Sequence, residues 1–250
     1  MAGVGFLGCG TIGKAMVRHI LDKRKHSVAF IQDPFYKESS LSCPVVSEAQ
    51  DDLYAAADLV VECATADVLK QNIDICLRYS NLLVFSITAF SDEEFYRKAF
   101  ALSSANGTHI YFPHGAILGL DGIFDAREIL KAAVIETTKN PKSLGRNDIT
   151  RTIAYVGSTR EACRLYPRNV NVHAAVALAG LGFDATQSRI ISDPAVSENS
   201  HNIQVEGDGI RFRLEISSPS NAGITGLYTP VSACGSLDRI LSEDSGYIFV

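Results

Sequence analysis

The sequence predicts an α/β protein: a Rossmann-type doubly wound parallel sheet over residues 1–112, then a second, α+β domain over residues 113–228. Three observations carry this. A glycine cluster, Gly8-Cys9-Gly10-Thr11-Ile12-Gly13, stands between a strand-like run and a helix-like run. Strand and helix patterns then alternate as far as Phe112. Beyond Pro113 that rhythm breaks, and the later strands alternate apolar with polar residues, the mark of antiparallel pairing with one wet face.

The first strand is the short apolar run Val4-Gly5-Phe6-Leu7, and Ala15-Met16-Val17 with Ile20-Leu21 recur at helical spacing after the glycines. Gly8 lets the chain turn sharply off the strand, and Gly10 leaves bare backbone for a pyrophosphate. Gly13 lets the helix approach the strand, so that the helix N-terminus points its free N–H groups at the phosphates. A second run, Val28-Ala29-Phe30-Ile31, ends at Gln32-Asp33, twenty positions past Gly13. A carboxylate there accepts hydrogen bonds from the adenosine ribose hydroxyls. The glycines alone are weak evidence, but strand, glycines, helix, strand and acid in this order point to NAD, with NADP as the alternative.

A serine-rich polar loop follows Asp33. Residues 44–46 read as a short strand, 48–57 as a helix and 58–63 as a buried parallel strand. A helix runs through Leu69, Ile73 and Leu77, and 82–87 is a further strand. The next helix spans 92–102, with Ser91 as its cap and Glu94 three residues on, and His109-Ile110-Tyr111-Phe112 closes the series. The strand ends present small residues, Cys63-Ala64-Thr65 and Ser86-Ile87-Thr88. Ala64 and its neighbours would leave space for the nicotinamide ribose, or serve as ordinary tight turns.

In the second half, 126–130 reads as helical, 132–135 and 152–156 as strands, and 137–148 as a polar link between them. Residues 160–166 form a short helix and 171–181 a buried one. Arg189-Ile190-Ile191, the run 201–205 and the alternating run 210–216 are strands. This half is expected to complete a substrate cleft, and a helix over about 229–243 to pack back on the first domain.

With 250 residues and a formal charge of −5, the chain has ample core but no basic face for nucleic acid. Its six cysteines are scattered, without metal-ligand spacing, and read as reduced thiols. No apolar run approaches the ~18 residues of a membrane span, and the opening residues lead straight into a strand without a leader pattern. A cytoplasmic protein that uses neither metal, membrane nor nucleic acid is expected.

Hydride transfer beside a carbonyl or imine needs a proton donor, and the six histidines are the first candidates. His19 and His26 flank the first helix and read as solvated. His109, in a strand, and His173, in the buried helix, read as structural. His114 follows Phe112-Pro113 at the expected cleft mouth. His201 follows a polar loop, 193–200, and opens a strand, so it is expected to titrate in the ordinary histidine range. By position alone, His201 and His114 are both candidates.

Several blocks resemble the L-aspartate dehydrogenase family. They are Tyr166-Pro167-Arg168-Asn169-Val170-Asn171-Val172, Leu178-Ala179-Gly180-Leu181-Gly182-Phe183-Asp184-Ala185-Thr186, Ile190-Ile191-Ser192-Asp193-Pro194, Asn199-Ser200-His201, and Pro113-His114-Gly115-Ala116-Ile117-Leu118-Gly119-Leu120-Asp121. The resemblance runs from the glycine cluster to about Ser217. It implies His201 as the catalytic residue, Ala116 and Asn171 as nicotinamide-cofactor contacts, and Gly8, Gly10, Thr11, Ile12 and Asp33 as holders of pyrophosphate and ribose. Two positions depart from the family pattern: His114, where a small residue or none is usual, and Asn221-Ala222-Gly223-Ile224-Thr225-Gly226, which lacks the usual lysine.

The resemblance implies oxidation of L-aspartate to iminosuccinate and then oxaloacetate, or the reverse reductive amination, with a role in NAD biosynthesis. The antiparallel sheet offers a face on which two copies can pair, so a homodimer is expected. Arg168 and Arg127 are candidate partners for the substrate carboxylates, each with a surface position as its bland alternative. An imine or 2-oxo-acid reductase with another substrate is the runner-up. A nucleotide-binding regulator without turnover is the rival from a different class.

Overall fold

The computed structural model describes residues 1–37, 41–219 and 226–242. The divergent segment Asn221-Ala222-Gly223-Ile224-Thr225, part of the serine-rich loop (38–40) and Glu243 of the expected last helix lie outside the described residues. The chain divides into two compact units, Met1–Pro113 with Pro230–Phe249, and His114–Thr229.

The first unit holds β1 (Gly3–Leu7), α1 (Thr11–Lys23), β2 (Ser27–Gln32), β3 (Val45–Val46), α2 (Asp51–Ala55), β4 (Leu59–Glu62), α3 (Ala66–Tyr79), β5 (Asn81–Val84), α4 (Glu93–Asn106) and β6 (Ile110–Tyr111). All strand pairs are parallel, in the order β3-β2-β1-β4-β5-β6. This is the doubly wound order, and its switch point falls between β1 and β4, where Leu7 pairs with Glu62. Burial explains the strand composition. Every residue of β4 is buried, as a parallel strand covered on both faces requires.

The stripe Gly13, Met16, Val17 and Ile20 faces α1 into the core, each large side chain contributing ~1.5–3 kcal/mol when fully buried. Ala233 and Leu237 of the last helix, α8 (Tyr228–Leu241), join the same cluster. Asp238 of that helix holds His19 Nε2 at 2.9 Å and Lys23 Nζ at 2.7 Å. His19 is therefore hydrogen-bonded to a carboxylate rather than simply solvated. His109 precedes β6 and is exposed, not a sheet residue.

Three local expectations for this unit are corrected. The helix expected over 48–57 is confined to Asp51–Ala55. The strand expected over 82–87 stops at Val84, because Ser86 donates to the Glu62 carboxylate instead of a neighbouring strand, and Ile87–Ser91 coils into a 3-10 turn. Asp92, not Ser91, caps α4, its carboxylate accepting from the Glu94 and Phe95 amides, while Ser91 donates back to Thr88.

The second unit holds α5 (Leu120–Ala126), β7 (Leu130–Lys139), β8 (Thr152–Ser158), α6 (Thr159–Leu165), α7 (Asn171–Ala179), β9 (Gln187–Ser192), β10 (Glu198–Gly207) and β11 (Ile210–Pro219). Its mixed sheet runs β11-β10-β7-β9-β8, with only β7 and β9 parallel. Ala133, Ile135, Ile203, Val205 and Ile190 form the buried face, and α7 packs against β7 with α5 and α6 beside it.

Several elements of this unit differ in extent from those the sequence predicts. The helix expected at 126–130 lies earlier, at Leu120–Ala126, entered through Gly119 at φ +77°. Residues 137–139, assigned to the polar link, belong to β7, and Glu198, Asn199 and Ser200 belong to β10. Each carries alternating polar side chains that look like loop until a partner strand covers one face. No described helix is long and apolar enough to cross a membrane.

Candidate active site

The glycine turn joins β1 to α1, and its three glycines have three different reasons. Gly8 has φ +85°, and a Cβ there would stand 2.6 Å from the Ala64 side chain. A Cβ on Gly13 would lie 3.0 Å from the Gly8 carbonyl and 3.0 Å from Cys63 Sγ, so the helix is seated directly on the turn. A Cβ on Gly10 would meet nothing within 4 Å, so the space over it is open. Thr11 and Ile12 begin α1, which has no side-chain cap and no acidic residue in its first turn. Their amides are left for an anion.

Asp33 follows β2. Its Oδ2 accepts from the Cys9 amide at 2.8 Å and its Oδ1 from the Phe35 amide at 2.8 Å. The carboxylate is thereby fixed beside the glycine turn, with further lone pairs for ribose hydroxyls. Ala64, beyond β4, donates its N–H to Glu62 Oε1 at 2.9 Å. Glu62 is fully buried and also accepts from the Ser86 amide at 2.9 Å and hydroxyl at 2.7 Å. Burial pushes this carboxyl up, against the pull of those hydrogen bonds. Glu62 thus ties together the ends of β4 and β5. Gly8, Gly10, Thr11, Ile12, Gly13, Asp33 and Ala64 are brought together, and the open floor, uncapped amides and anchored carboxylate fit a dinucleotide.

In the second unit Ala116 sits in a half-buried turn, where Gly115 has φ +63° and Ile117 N donates to the His114 carbonyl at 3.2 Å. Asn171 is the first residue of α7 and is half-buried. His114 Nε2 lies 3.5 Å from Asp121 Oδ1.

His201 does not open its strand but lies inside β10, opposite Thr137 of β7, and is 5% exposed. A chain of buried hydrogen bonds leads away from it. Thr137 Oγ1 is 2.8 Å from His201 Nδ1 and 2.7 Å from His173 Nε2. His173 Nδ1 is 2.9 Å from Ser188 Oγ, which is 2.7 Å from Thr159 Oγ1. Thr159 Oγ1 is 3.1 Å from the Thr186 carbonyl.

Proton counting gives this chain a direction. A carbonyl only accepts, so the Thr159 proton goes to Thr186 and the Ser188 proton goes to Thr159. Ser188 must then accept from His173 Nδ1–H, leaving His173 Nε2 to accept the Thr137 proton. Thr137 in turn accepts from His201 Nδ1–H. The relay therefore fixes His201 as the Nδ1–H tautomer, and among the described residues its Nε2 has no hydrogen-bond partner. Burial, and after it the charge of Lys139, pushes the His201 imidazole down to about 3, so it is neutral at neutral pH. Burial likewise holds His173 well below its usual range, with His201 and Lys139 adding to the effect. The ordinary titration expected of His201 is corrected by this burial.

Lys139 falls in the segment that looks like a polar link in the sequence. It ends the inward-facing series Ala133, Ile135, Thr137, Lys139 of β7 and is 4% exposed. The period-two spacing carried the signal, had the strand been extended far enough. Burial pulls its ammonium down to about 8. Arg127 and Arg168, by contrast, are at the surface. Arg127 donates to the Phe124 carbonyl at 2.8 Å, and its guanidinium stacks 4.1 Å from the Phe124 ring. Arg168 is exposed on the turn before α7.

Two families match this chain: "Aspartate dehydrogenase, C-terminal" over residues 122–240, and "Homoserine dehydrogenase, NAD binding domain" over residues 8–113. The L-aspartate dehydrogenase of Methanosarcina mazei is 31% identical over 266 residues, covering 97% of this chain and 98% of the relative. That of Thermotoga maritima is 33% identical, covering 95% and 96%. Among solved structures, the Thermotoga maritima aspartate dehydrogenase superposes with a TM-score of 0.81 at 28% identity, covering all of both chains. A hyperthermophilic archaeal homoserine dehydrogenase in complex with NADPH shares the fold, with a TM-score of 0.57 at 12% identity and 96% of each chain covered.

Proposed function

The chain belongs to the aspartate dehydrogenase family, and from that premise we propose that His201 is the residue that moves protons in its reaction. The protein is an NAD(P)-dependent oxidoreductase that converts L-aspartate to iminosuccinate, and so to oxaloacetate and ammonia, or runs the reverse reductive amination. A regulator without turnover is thereby set aside. The observation that carries the role of His201 is the relay, which leaves Nε2 as a neutral, unpartnered base.

Bound nicotinamide would supply the hydride acceptor for the substrate Cα, or the hydride donor in reverse. Gly8, Gly10, Gly13, Thr11 and Ile12 are proposed to hold the pyrophosphate, Asp33 the ribose, and Ala64, Ala116 and Asn171 the nicotinamide half. His201 Nε2 takes a proton from the substrate ammonium, because only the free amine has the lone pair that forms the C=N bond. Once that proton has passed to solvent, the same nitrogen takes a proton from the water attacking the imine carbon and hands it to the nitrogen that leaves as ammonia, while the hydroxyl proton of the collapsing adduct goes to solvent. Thr137 and His173 keep the ring in the tautomer that makes this possible.

All six cysteines are free thiols, which supports a reducing, cytoplasmic setting. Val134, Ile153 and Val156, exposed on the outer side of the mixed sheet, support pairing of two copies in a homodimer.

The test is NADH oxidation with oxaloacetate and ammonia, in the wild type and in His201→Ala. The expected result is turnover in the wild type and a ~10²–10⁴-fold lower kcat in the variant, with NADH affinity unchanged. Wild-type turnover of other 2-oxo acids but not oxaloacetate would move the substrate assignment. Near-wild-type kcat in His201→Ala would remove this residue from the chemistry, and loss of activity in His114→Ala instead would place the proton transfer there.

A further inference from the structure

Lys139 has too few partners for a buried cation. Lysine is almost never fully buried without a paired carboxylate, because desolvating an ammonium costs more than a single neutral acceptor returns. Among the described residues its Nζ has one hydrogen bond, to the Asn169 backbone carbonyl at 3.3 Å, and no carboxylate within ion-pair distance. Two of its three N–H protons are left without an acceptor. The same Asn169 carries a complementary defect: its side-chain Oδ1 is buried and has no donor among the described residues. A buried donor with protons to spare thus adjoins a buried acceptor without one. Both lie in the unit that holds His201, whose Nε2 is also without a partner among the described residues.

A structural role does not account for Lys139. Its neighbours along the inward face of β7 are Ala133, Ile135 and Thr137, and an apolar side chain of similar length would fill the same space without desolvating a charge. The two arginines that the sequence offered as anion partners are engaged or exposed at the surface.

We propose that Lys139 binds a carboxylate of the dicarboxylate substrate and is the specificity-determining cation of this enzyme. This rests on the reading of the chain as an L-aspartate dehydrogenase. It has a consequence for His201. Burial is the larger cause of that imidazole's low basicity and persists, but the Lys139 charge is the second. A carboxylate seated on Lys139 cancels the second cause, so the arriving substrate makes its own base stronger.

The experiment compares wild type with Lys139→Met, which keeps the stem volume and removes the charge, and with Lys139→Arg, which keeps the charge. Succinate, a dicarboxylate without an amine or a reacting centre, is titrated calorimetrically against the NAD-loaded protein, and KM and kcat for L-aspartate are measured alongside. Lys139→Met is expected to weaken succinate and raise the KM for L-aspartate by ~30-fold or more, the scale of a lost charge-assisted hydrogen bond. NADH affinity should be unchanged and thermal stability equal or higher. Lys139→Arg should retain most of the succinate affinity, and it carries the comparison if the methionine variant does not fold. Unchanged succinate affinity and KM in Lys139→Met would overturn the proposal while leaving the activity intact. A collapse of kcat with unchanged succinate affinity would also overturn it, making Lys139 a proton-transfer group. A wild type that neither turns over L-aspartate nor binds succinate would overturn the dehydrogenase reading and this proposal together. Succinate binding lost in Lys139→Met, with no aspartate turnover in the wild type, would keep the anchor and overturn only the reading it was built on.

Discussion

The Thr137 hydroxyl lies between two buried histidines, 2.8 Å from His201 Nδ1 and 2.7 Å from His173 Nε2. One hydroxyl has one proton, so it donates to His173 Nε2 and accepts from His201 Nδ1–H, and both rings are held as the Nδ1–H tautomer. On the proposed role of His201, Thr137 is a positioning residue, acting only through the ring beside it.

Thr137→Val removes that hydroxyl at nearly constant volume. The His201 ring then loses the acceptor that keeps its proton on Nδ1, and kcat should fall by ~10–100-fold, below the full share of a general base. Thr137→Ser restores the hydroxyl and should recover most of the rate. Steady-state kcat with NADH affinity as control checks this; equal rates for the valine and serine variants would reduce the relay to packing.

Two of the three turn glycines, Gly8 and Gly10, should fail in different ways. Gly10→Val has open space around its Cβ, so melting temperature should hardly change while NADH affinity, read by fluorescence titration, falls by ~100-fold or more. Gly8→Val meets φ +85° and the Ala64 side chain at 2.6 Å, so it should lower the melting temperature itself. Near-normal NADH binding in folded Gly10→Val would show that the glycines serve packing alone.

Asp33 should set the cofactor preference towards NAD. Its carboxylate, held by the Cys9 and Phe35 amides, would bond a ribose 2′-hydroxyl and repel a 2′-phosphate, and Pro34-Phe35-Tyr36 supplies no arginine. Lys37, exposed nearby in the chain, is the residue that could work against this. The ratio of kcat/KM for the two cofactors should favour NAD in the wild type and move towards unity in Asp33→Ala. A wild type that prefers NADP would contradict the assignment.

Acid should loosen the second unit before the carboxylates titrate. His173 and His201 have folded-state pKa values depressed below the ordinary 6.5, so below that pH the unfolded chain binds more protons than the folded one. Stability is then complete above pH 6.5 and declines as pH falls towards about 3, the folded value of His201. Raised Glu62 acts in the opposite sense, which is why a difference measurement is needed. Denaturant unfolding between pH 7 and 5 should show a shallower decline for His173→Gln than for wild type. Parallel declines would mean that His173 is protonated in the fold.

The glycine turn of the first unit was legible because its requirements are local. Gly8, Gly10 and Gly13 act through backbone geometry within one turn, and the strand, helix and acid that frame them follow in chain order. Ser91 was misjudged as a cap for a reason of the same kind. Asp92 competes for the same amides one residue later, and a carboxylate accepts them more strongly than a hydroxyl. The extent of β7 and β10 was not legible, since polar residues at alternate positions look like loop until the facing strand and helix cover them.

The parallel sheet and the glycine turn can be read from local sequence, and the acid after β2 and, through resemblance, His201 stand out there as candidates. What kind of histidine His201 is, and what stands beside it, comes from the folded chain. Thr137 and His201 are 64 positions apart, Thr137 and His173 are 36 apart, and Lys139 reaches Asn169 across 30. No local pattern encodes those pairings. A tautomer is fixed by the last acceptor in a chain of hydrogen bonds, and a lysine becomes a buried cation only when a sheet and a helix close over it.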